Sequence, residues 1–327
     1  MKAIIPAAGV GTRLRPHTYT LPKALLYVAG KPIISHILDD VVELGVSSIV
    51  LIVGYKGDLI EAYVKKNYPE IDVDFVVQEE RKGIGHAVDL TRDIADTGEP
   101  ILIILGDTIL KTDLREMVRS KSNVLGVKEV SDPRRFGVCE LSGGYITRLV
   151  EKPEDPPSNL ALVGLYYFMD SKSLFEALRE EIESGIMNHG EYQITDALQI
   201  MIEKGDKFIP YSIDEWFDCG KPEAMLETNR KLLEDSDARM PSIDGSIVIP
   251  PVSISPGAEI ANLIVGPYVS VADGAVIRNS IVRDSVIAEG ATVTEALLEA
   301  SLVGEKAVIR GGFQKVDVGD SSEITFK

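Results

Sequence analysis

The feature that most constrains the fold is an alternation of apolar, strand-like runs with helical patterns over the first two thirds of the chain. In chain order these segments are the run KAIIPAA, a helix over Pro32–Leu44, SIVLIV, a helix over Asp58–Asn67, VDFVV, a helix over His86–Ile94 and ILIIL. Such alternation predicts a largely parallel sheet with helices on both faces, a Rossmann-like doubly wound α/β fold. Ligands of such sheets lie beyond the carboxyl ends of the strands, where the sequence has the loop after Ala3–Ala7 and the pair Gly106 and Asp107.

The pattern changes after this first part. From Val124 to Met169 shorter strands separated by turns predict an antiparallel or mixed extension of the sheet. Helical patterns return at Ser171–Ser184, Gln193–Lys204 and Pro222–Glu234, and the polar stretch Glu234–Gly245 has the composition of a linker. We therefore expect one domain over residues 1–236, a linker over 237–246 and a second domain over 247–327.

The last part of the chain is a degenerate repeat. Val252, Val269, Val286 and Val303 recur every 17 residues, and Ala258, Ala275, Ala291 and Ala307 recur at spacings of 17, 16 and 16, each followed two places later by Ile or Val. Ordinary hairpins are one interpretation of these short strands. Four coils repeating in phase favour a parallel solenoid in which each coil buries its apolar row on the next, and the pattern resembles the left-handed β-helix of hexapeptide-repeat proteins.

Composition narrows the classes of function. The net charge of -17 argues against general binding of nucleic acid or anionic membranes. The longest apolar runs are much shorter than the roughly 20 residues of a membrane span, and the N-terminus has no signal-peptide pattern. Cys139 and Cys219 are too few for a disulfide framework and are expected to be reduced. We expect a soluble cytoplasmic protein.

Charge placement points to a local anion site. Residues 1–38 contain no acidic residue and carry a charge of +5, whereas the rest of the chain carries -22. An even distribution would place about six acids there. A buried first strand explains part of this, but the following loop, PAAGVGTRLRPHTYTLPK, keeps Arg13, Arg15 and Lys23 with no acid beside them. A multiply charged anion requires such a loop.

Two familiar phosphate loops do not match this stretch. The P-loop string does not occur after any strand, and the dinucleotide fingerprint is half met by Gly9 and Gly11 but has Leu14 at its third glycine. The segment GVGTRLRPHTYTLPK resembles the signature of sugar-1-phosphate nucleotidylyltransferases. Further landmarks agree in order: VVQEERKGIGHA, LGDT, RRFGV, VEKP, SNLALVGLYYF, GEYQITDAL and EWFDCGKP. The whole chain is similar to the long form of glucose-1-phosphate thymidylyltransferase, which implies a nucleotidyltransferase fold followed by a left-handed β-helix.

The resemblance implies a reaction and its residues. A sugar-1-phosphate oxygen attacks the α-phosphorus of dTTP or UTP and pyrophosphate leaves, so cations and Mg²⁺ supply most of the catalysis. Arg13, Lys23 and Lys152 are the implied catalytic cations. The implied nucleotide contacts are Ala7, Ala8, Gly9, Gly11, Thr12, Gln78 and Gly83, and the implied sugar contacts are Gly137, Glu151, Lys152 and Trp216.

Asp107 and Asp218 are the expected Mg²⁺ ligands. Asp107 also stands out without the resemblance, because it follows the most apolar strand and a glycine, where a buried carboxylate without a partner would be costly. Asp218, before Gly220, could equally be an ordinary turn residue.

The sequence departs from the family pattern at two positions. Ala8 stands where thymidylyl enzymes usually carry a second glycine, and PAAGVGTR is closer to bacterial uridylyltransferases, so the base stays open between dTTP and UTP. His189 stands where many relatives carry arginine, and a neutral imidazole is a weaker phosphate anchor. Glucose is the expected sugar, with another hexose as an alternative.

Two other functions are considered. A non-catalytic assembly or sugar-nucleotide-sensing subunit would share the two-domain plan but would lack the Arg, Lys and Asp set, which is present. Acyl transfer by the β-helix usually requires a histidine in or near the coils, and no histidine follows His189. Solenoids tend to stack, so we expect a homo-oligomer formed through the β-helix or a sheet edge.

Overall fold

The structure is a computed structural model that describes residues 1–46, 48–185, 187–235 and 243–312. Its contacts divide the chain into two compact units. The first holds Met1–Leu26 and Lys31–Met225, and the second holds Tyr27–Gly30 and the described residues from Leu226 onward. The predicted domain limits stay a prediction, and residues 237–242 of the predicted linker lie outside the described residues.

The elements before residue 236 follow the predicted alternation closely. They are β1 (Lys2–Pro6), β2 (Tyr27–Val28), β3 (Lys31–Pro32), α1 (Ile33–Glu43), β4 (Ser48–Val53), α2 (Gly57–Asn67), β5 (Val73–Val77), α3 (Ile84–Asp89), α4 (Arg92–Ala95), β6 (Ile101–Ile104), β7 (Thr108–Lys111), α5 (Leu114–Val118), β8 (Asn123–Glu129), β9 (Gly137–Ser142), β10 (Tyr145–Glu151), β11 (Leu160–Phe168), α6 (Ser171–Ser184), α7 (Ile194–Glu203), β12 (Phe208–Ser212), β13 (Glu215–Asp218) and α8 (Pro222–Glu234). Short 3₁₀ helices cover Thr12–Leu14, His17–Tyr19 and Lys23–Leu25.

The main sheet combines a parallel and a mixed part. Among the described residues it has nine strands in the order β5-β4-β1-β6-β11-β8-β12-β10-β9. The strands β5, β4, β1 and β6 are parallel, as the alternation predicts. β11 runs antiparallel to β6 and β8, and β9 pairs antiparallel with β10, which confirms the mixed extension. Residues 3–5 and 101–103 are fully buried, as expected for a sheet covered on both faces.

The prediction of one continuous helix over His86–Ile94 is wrong. The helix expected over His86–Ile94 is two short helices, α3 and α4, because the chain turns at Leu90 and Thr91. The Thr91 hydroxyl donates to the Val88 carbonyl at 2.7 Å, and the Thr91 carbonyl accepts the first hydrogen bonds of α4. Side-chain bonds of this kind compete with helix propagation. Neither Cys139 nor Cys219 forms a disulfide, both are buried, and burial raises the pKa of the Cys139 thiol to about 12.

The described part of the second unit from residue 243 onward is built of short parallel strands. They are β14 (Ile247–Val248), β15 (Val252–Ile254), β16 (Glu259–Ala261), β17 (Ile264–Val265), β18 (Val269–Val271), β19 (Val276–Arg278), β20 (Ile281–Arg283), β21 (Ser285–Ile287), β22 (Thr292–Thr294), β23 (Leu297–Glu299), β24 (Leu302–Val303) and β25 (Val308–Arg310). Over residues 243–312 they form three sheets of four strands each, β14-β17-β20-β23, β15-β18-β21-β24 and β16-β19-β22-β25. This is the strand arrangement of the predicted β-helix.

The register of the coils follows the alanine spacing rather than the valine spacing. Ile260 pairs with Ile277, Ile277 with Val293 and Val293 with Ile309, so this row repeats at 17, 16 and 16 residues. Val269 pairs with Ser285 instead of Val286, which departs from the 17-residue valine repeat after the second coil. Because coils stack by backbone pairing, each 16-residue coil moves the later side chains by one further position relative to a 17-residue repeat.

Candidate active site

A glycine loop follows the carboxyl end of β1 and opens a cleft of about 410 Å³. Small-molecule sites typically occupy roughly 300–1,000 Å³. Gly11 adopts a φ of 64°, which an L side chain rarely adopts, and it begins the 3₁₀ helix over Thr12–Leu14. The cleft is lined by these predicted site residues: Ala7, Ala8, Gly9, Gly11, Thr12, Lys23, Gln78, Gly83 and Asp107. The structure therefore brings together the whole predicted nucleotide set.

Lys23 is buried at the edge of the cleft and faces two carboxylates. Pro22, in an extended conformation, precedes the 3₁₀ helix that begins at Lys23. The Lys23 side chain is 9% exposed, and its Nζ donates to Asp107 Oδ2 at 2.6 Å. Asp218 Oδ1 lies 4.0 Å from the same Nζ. A buried ammonium of this kind requires nearby negative charge, and both predicted metal ligands provide it.

The pairing of β7 with β13 explains how two aspartates that are distant in sequence meet. The register places Asp218 opposite Thr108, the residue after Asp107. The backbone N–H of Cys219 also donates to the Asp107 carbonyl at 3.3 Å. Arg13 lies at the same end of the site, because a Cβ built on Gly220 would be 2.9 Å from Asp218 Oδ1 and 3.4 Å from Arg13 Nη2. The fold therefore collects two cations and two carboxylates at one point.

The donor set at this point fits a magnesium ion that is shared with substrate phosphates. The Asp107 and Asp218 side chains are 44% and 36% exposed, so both carboxylates retain solvent-facing oxygens. Within the described ranges no group of three or more His, Cys, Asp or Glu residues has the spacing of a metal site. Mg²⁺ commonly takes one or two protein carboxylates and completes its shell with water and phosphate oxygens, so two aspartates suffice.

Gln78 and Gly83 are joined by a direct hydrogen bond. The Gln78 side chain is buried, and its Nε2 donates to the Gly83 carbonyl at 3.0 Å. Gly83 has a φ of 103°, and a Cβ there would lie 2.2 Å from the Tyr192 carbonyl oxygen, so no other residue fits without moving the backbone. The five-residue spacing thus corresponds to a short loop that the Gln78 side chain stabilises through its hydrogen bond to Gly83.

His86 lies in α3 and holds no position that suggests proton transfer. Its Nδ1 is 3.5 Å from Gln78 Nε2. Burial, followed by the nearby charge of Lys82, lowers the pKa of the imidazole. A neutral imidazole beside Gln78 supports the loop.

The predicted sugar residues form a second group. β9 and β10 pair so that Gly137 lies opposite Glu151. Glu151 is buried; its Oε2 accepts from Thr195 Oγ1 at 2.7 Å, and its Oε1 lies 3.0 Å from Lys152 Nζ. A Cβ on Gly137 would be 2.8 Å from Thr195 Oγ1. The close approach of the Thr195 hydroxyl to this backbone explains why glycine is present at position 137.

Trp216 completes the second group through an aromatic contact. Its ring packs edge-on against Phe136, with ring centroids 4.8 Å apart, and Phe136 is adjacent to Gly137. Trp216 and Asp218 are two residues apart on β13, so their side chains point to the same face of the strand. The Trp216 Nε1 atom is buried and has no hydrogen-bond partner among the described residues.

His189 differs from the anchored arginine that the resemblance suggests. Its side chain is exposed, and its backbone φ is 54°. Its charge interaction with Asp196 helps to lower the pKa of that carboxyl, but burial of Asp196 is the larger effect and raises the pKa. The structure thus places His189 near α7, beside the sugar group rather than among the residues that line the cleft.

Sequence reasoning missed three residues. Arg81 and Glu191 line the cleft, and Thr195 binds Glu151. Glu191 and Thr195 both belong to the segment GEYQITDAL, whose letters carry the resemblance, so that motif was the available signal. Arg81 had no comparable signal, because an isolated arginine in an exposed charged loop is ordinary.

Comparisons with known proteins agree with this geometry. The profile described as Nucleotidyl transferase matches residues 2–235. The UTP–glucose-1-phosphate uridylyltransferase AglF of Haloferax volcanii is 36% identical over 245 residues, which cover 72% of this chain and 98% of that protein. The glucose-1-phosphate thymidylyltransferase of Streptomyces griseus is 33% identical over 332 residues, which cover 93% of this chain and 92% of that protein.

A solved structure has a similar fold. The crystal structure of a UDP-glucose pyrophosphorylase complexed with UDP-glucose superposes with a TM-score of 0.63 at 28% identity and covers 72% of this chain and 99% of that one. The profile match covers more than half of the chain and includes every predicted site residue. The chain belongs to the nucleotidyl transferase family.

Proposed function

We propose that this protein is a sugar-1-phosphate nucleotidylyltransferase that converts dTTP or UTP and glucose 1-phosphate into the nucleoside diphosphate glucose and pyrophosphate. The observation that carries the proposal is the convergence of Asp107 and Asp218 on the Lys23 ammonium, next to a cleft that the glycine loop opens. A site for two polyanions requires cations, metal ligands and free backbone N–H groups in one place, and this arrangement provides all three.

The proposed chemistry needs no protein nucleophile. An oxygen of the sugar phosphate forms a bond to the α-phosphorus, and the bond from that phosphorus to the β-phosphate oxygen breaks, releasing pyrophosphate. Arg13, which is exposed, holds the leaving end of the triphosphate, and Lys23 faces the α-phosphate. Fixed cations placed where charge develops lower the barrier without reorganising during the reaction.

Asp107 and Asp218 would hold Mg²⁺. When bound, the ion neutralises charge on the triphosphate and on the leaving pyrophosphate. The two aspartates have a second task, since they balance the charge of Lys23 within the protein. We expect Lys23 to turn toward the α-phosphate when these two carboxylates hold the metal ion in place of the ammonium.

Glu151 and Lys152 would bind the sugar phosphate. Thr195 binds one Glu151 oxygen, and the second, which pairs with Lys152, has a further lone pair that can accept from a sugar hydroxyl near Gly137. Lys152 has a φ of 42° and its N–H donates to the Phe136 carbonyl at 3.0 Å, so its backbone position is well defined. The Lys152 side chain is 38% exposed and is therefore accessible to a phosphate.

A matrix of substrate pairs identifies which base and which sugar the protein uses. Five nucleoside triphosphates are combined with several hexose 1-phosphates, and pyrophosphate release is measured for each pair in the presence of Mg²⁺. We expect turnover with dTTP or UTP and glucose 1-phosphate, and loss of turnover when Mg²⁺ is removed with a chelator. Absence of pyrophosphate release with every pair would support the alternative of a non-catalytic sensing or assembly subunit.

We also propose that the protein assembles with a second copy of itself through the β-helix. Ile247, Ile264, Ile281 and Leu297 pair in register along one sheet, and their neighbours Val265 and Val282 are fully buried inside. Three of the four outer side chains are between 42% and 80% exposed. An exposed aliphatic row of this length favours association with an identical row.

Light scattering tests this assembly. Leu297→Glu combined with Ile281→Glu should convert the assembly into a monomer, whereas Glu259→Gln, at an exposed position on another sheet, should not. A wild-type protein that is already monomeric at micromolar concentration would contradict the proposal.

No helix in the described part of the chain is long and apolar enough to cross a membrane. We propose a cytoplasmic location, where both substrates and reduced cysteines are found.

A further inference from the structure

Glu181 is a buried acid that the proposed reaction does not use. It lies in α6 and is 3% exposed. Among the described residues neither of its carboxyl oxygens has a hydrogen-bond partner, although both are shielded from solvent. A buried carboxylate without a partner is strongly disfavoured relative to the neutral acid. Such a group is retained only where its surroundings tolerate a neutral carboxyl.

The carboxyl group lies against the backbone of the loop that carries Gly83. The Gly85 N–H donates to the Tyr192 carbonyl at 2.9 Å, and the Tyr192 N–H donates to the Lys82 carbonyl at 2.7 Å. A Cβ built on Gly85 would be 2.8 Å from Glu181 Oε2 and 3.1 Å from the Tyr192 carbonyl oxygen. Glu181 thus contacts the junction of two segments, residues 83–85 and 191–193.

This junction connects both groups of the candidate site. On one side, Gln78 binds the Gly83 carbonyl and both residues line the cleft. On the other side, Glu191 lines the cleft, and Thr195 in α7 binds the sugar residue Glu151. A displacement of the junction would therefore change the cleft directly and the sugar group indirectly.

The surroundings of Glu181 favour its neutral form. The pKa of this carboxyl is raised to about 8, chiefly by burial and to a smaller extent by the negative charges of Asp196 and Asp89. The Gln193 N–H faces the carboxyl and lowers its pKa, without reaching hydrogen-bond geometry. Other ionisable groups on the adjoining elements include His86 on α3, Arg92, which pairs with Asp89, and Glu191, which accepts from Gln193. Glu203 ends α7, and Lys82 precedes Gly83 in the loop.

We propose that Glu181 is a positioning residue whose neutral carboxyl group supports the junction of residues 83–85 and 191–193, so that loss of its proton weakens binding of the nucleoside triphosphate. The inference rests on the proposed function, because it assumes that the cleft binds a triphosphate. The ionised form would bring a third negative charge next to Asp196 and Asp89 and would draw water or a cation into the junction. Either change displaces the Gly83 loop.

Calorimetric titration of the wild type with UTP and with dTTP, in Mg²⁺ and without sugar phosphate, measures the effect. If binding requires the protonated carboxyl, the dissociation constant rises about tenfold between pH 7 and pH 9. Glu181→Gln, which keeps the shape and cannot ionise, should change less than about twofold over the same range. Glu183→Gln is the matched control, since Glu183 is an exposed acid on the same helix and should behave like the wild type.

Two results would overturn the proposal: a wild-type dissociation constant that is constant from pH 7 to pH 9, or a tenfold rise that persists in Glu181→Gln. If that variant does not fold, the wild type alone still decides. Titration at pH 8 in two buffers of different ionisation enthalpy should reveal uptake of about half a proton on binding, and no uptake would contradict the proposal. A substrate matrix without turnover would instead refute the proposed function, and this binding measurement does not depend on turnover.

Discussion

The candidate site has two halves, one predicted to bind the sugar and one predicted to bind the nucleotide, and they differ in how far their charged groups are already buried and paired. In the sugar half, Glu151 is already paired with Thr195 and Lys152, and its carboxylate is buried. In the nucleotide half, Lys23 is buried while Asp107 and Asp218 remain partly exposed. The buried carboxylate of the sugar half therefore has its partners before a ligand binds, whereas the carboxylates of the nucleotide half keep oxygens for a metal ion.

This difference follows from what each half binds. A neutral sugar ring is recognised by fixed hydrogen-bond partners, which are effective when they are held rigidly. A triphosphate with Mg²⁺ brings its own charges, so the protein must keep opposite charges close together without neutralising them completely. Substitutions in the nucleotide half should therefore lower kcat, and substitutions in the sugar half should raise the KM of one substrate.

The largest expected effect comes from removing a metal carboxylate. Asp107→Asn keeps the shape of the side chain but removes the charge that faces Lys23 and Mg²⁺. We expect kcat for pyrophosphate release to fall by about 10³-fold, in line with the loss of a charged group that stabilises a transition state. Asp214→Asn, an exposed aspartate just before β13, is the matched control and should retain activity. Activity that survives in Asp107→Asn would remove Asp107 from the mechanism.

Glu181, which contacts the junction of residues 83–85 and 191–193, should make the free energy of unfolding depend on pH. In the folded protein its pKa is raised to about 8 from an ordinary 4.5, so the folded state retains a proton that the unfolded state has lost. The contribution of this carboxyl to the free energy of unfolding is therefore fully present below pH 4.5. It decreases as the pH rises toward 8, by up to about 2–3 kcal/mol between pH 6 and pH 8.

Thermal unfolding of Glu181→Gln measures this effect. The variant should gain stability relative to the wild type as pH increases over this interval, and Glu183→Gln should track the wild type. A difference between Glu181→Gln and the wild type that does not depend on pH would show that Glu181 does not titrate in this range.

The sugar half gives a smaller and selective effect. Thr195→Val removes the hydroxyl that donates to Glu151 and leaves that buried carboxylate with one partner fewer. We expect the KM of the sugar 1-phosphate to rise about tenfold, while the KM of the nucleotide stays within about twofold, because an unsatisfied buried acceptor costs about 1–3 kcal/mol. Thr147→Val, at an exposed position on β10, is the control. Equal changes in both KM values would contradict separate roles for the two halves.

The smallest expected effect concerns Ala8 and the choice of base. Ala8 is 6% exposed and belongs to the apolar core, and its Cβ is 3.0 Å from the position of a Cβ on Gly54. Because its methyl group packs inward, Ala8→Gly should change the ratio of kcat/KM for dTTP and UTP by no more than about threefold. A tenfold change would show that position 8 reads the base directly.

Much of the fold is predictable because it is encoded in local patterns. The runs at Ser48–Val53, Val73–Val77 and Ser171–Ser184 have the limits that their apolar periodicity predicts. The division of His86–Ile94 into two helices was missed, because it depends on the hydrogen bond of Thr91 and not on periodicity. The coil register was ambiguous in sequence, since valine and alanine rows suggested different spacings and only backbone pairing decides between them.

The site was predictable where a motif marks it and not where the fold alone creates it. Gly11, Lys23 and Asp107 follow from the acid-free loop and from the end of an apolar strand. The contact of Asp218 with Lys23 depends on the pairing of β7 with β13, and no local sequence pattern predicts that pairing. Glu181 has no sequence signal at all, because an acid in an amphipathic helix is ordinarily exposed, and only its burial distinguishes it.

The central claim is transfer of a nucleotidyl group directly to the sugar phosphate at the point where Asp107 and Asp218 meet Lys23. It is tested most directly with glucose 1-phosphate labelled with ¹⁸O in the non-bridging phosphate oxygens, together with UTP or dTTP and Mg²⁺, followed by mass spectrometry of both products. We expect a nucleoside diphosphate glucose that retains every labelled oxygen, unlabelled pyrophosphate, and formation of both products about 10³-fold slower with Asp107→Asn. Label in the pyrophosphate, or equal product formation by Asp107→Asn, would contradict it.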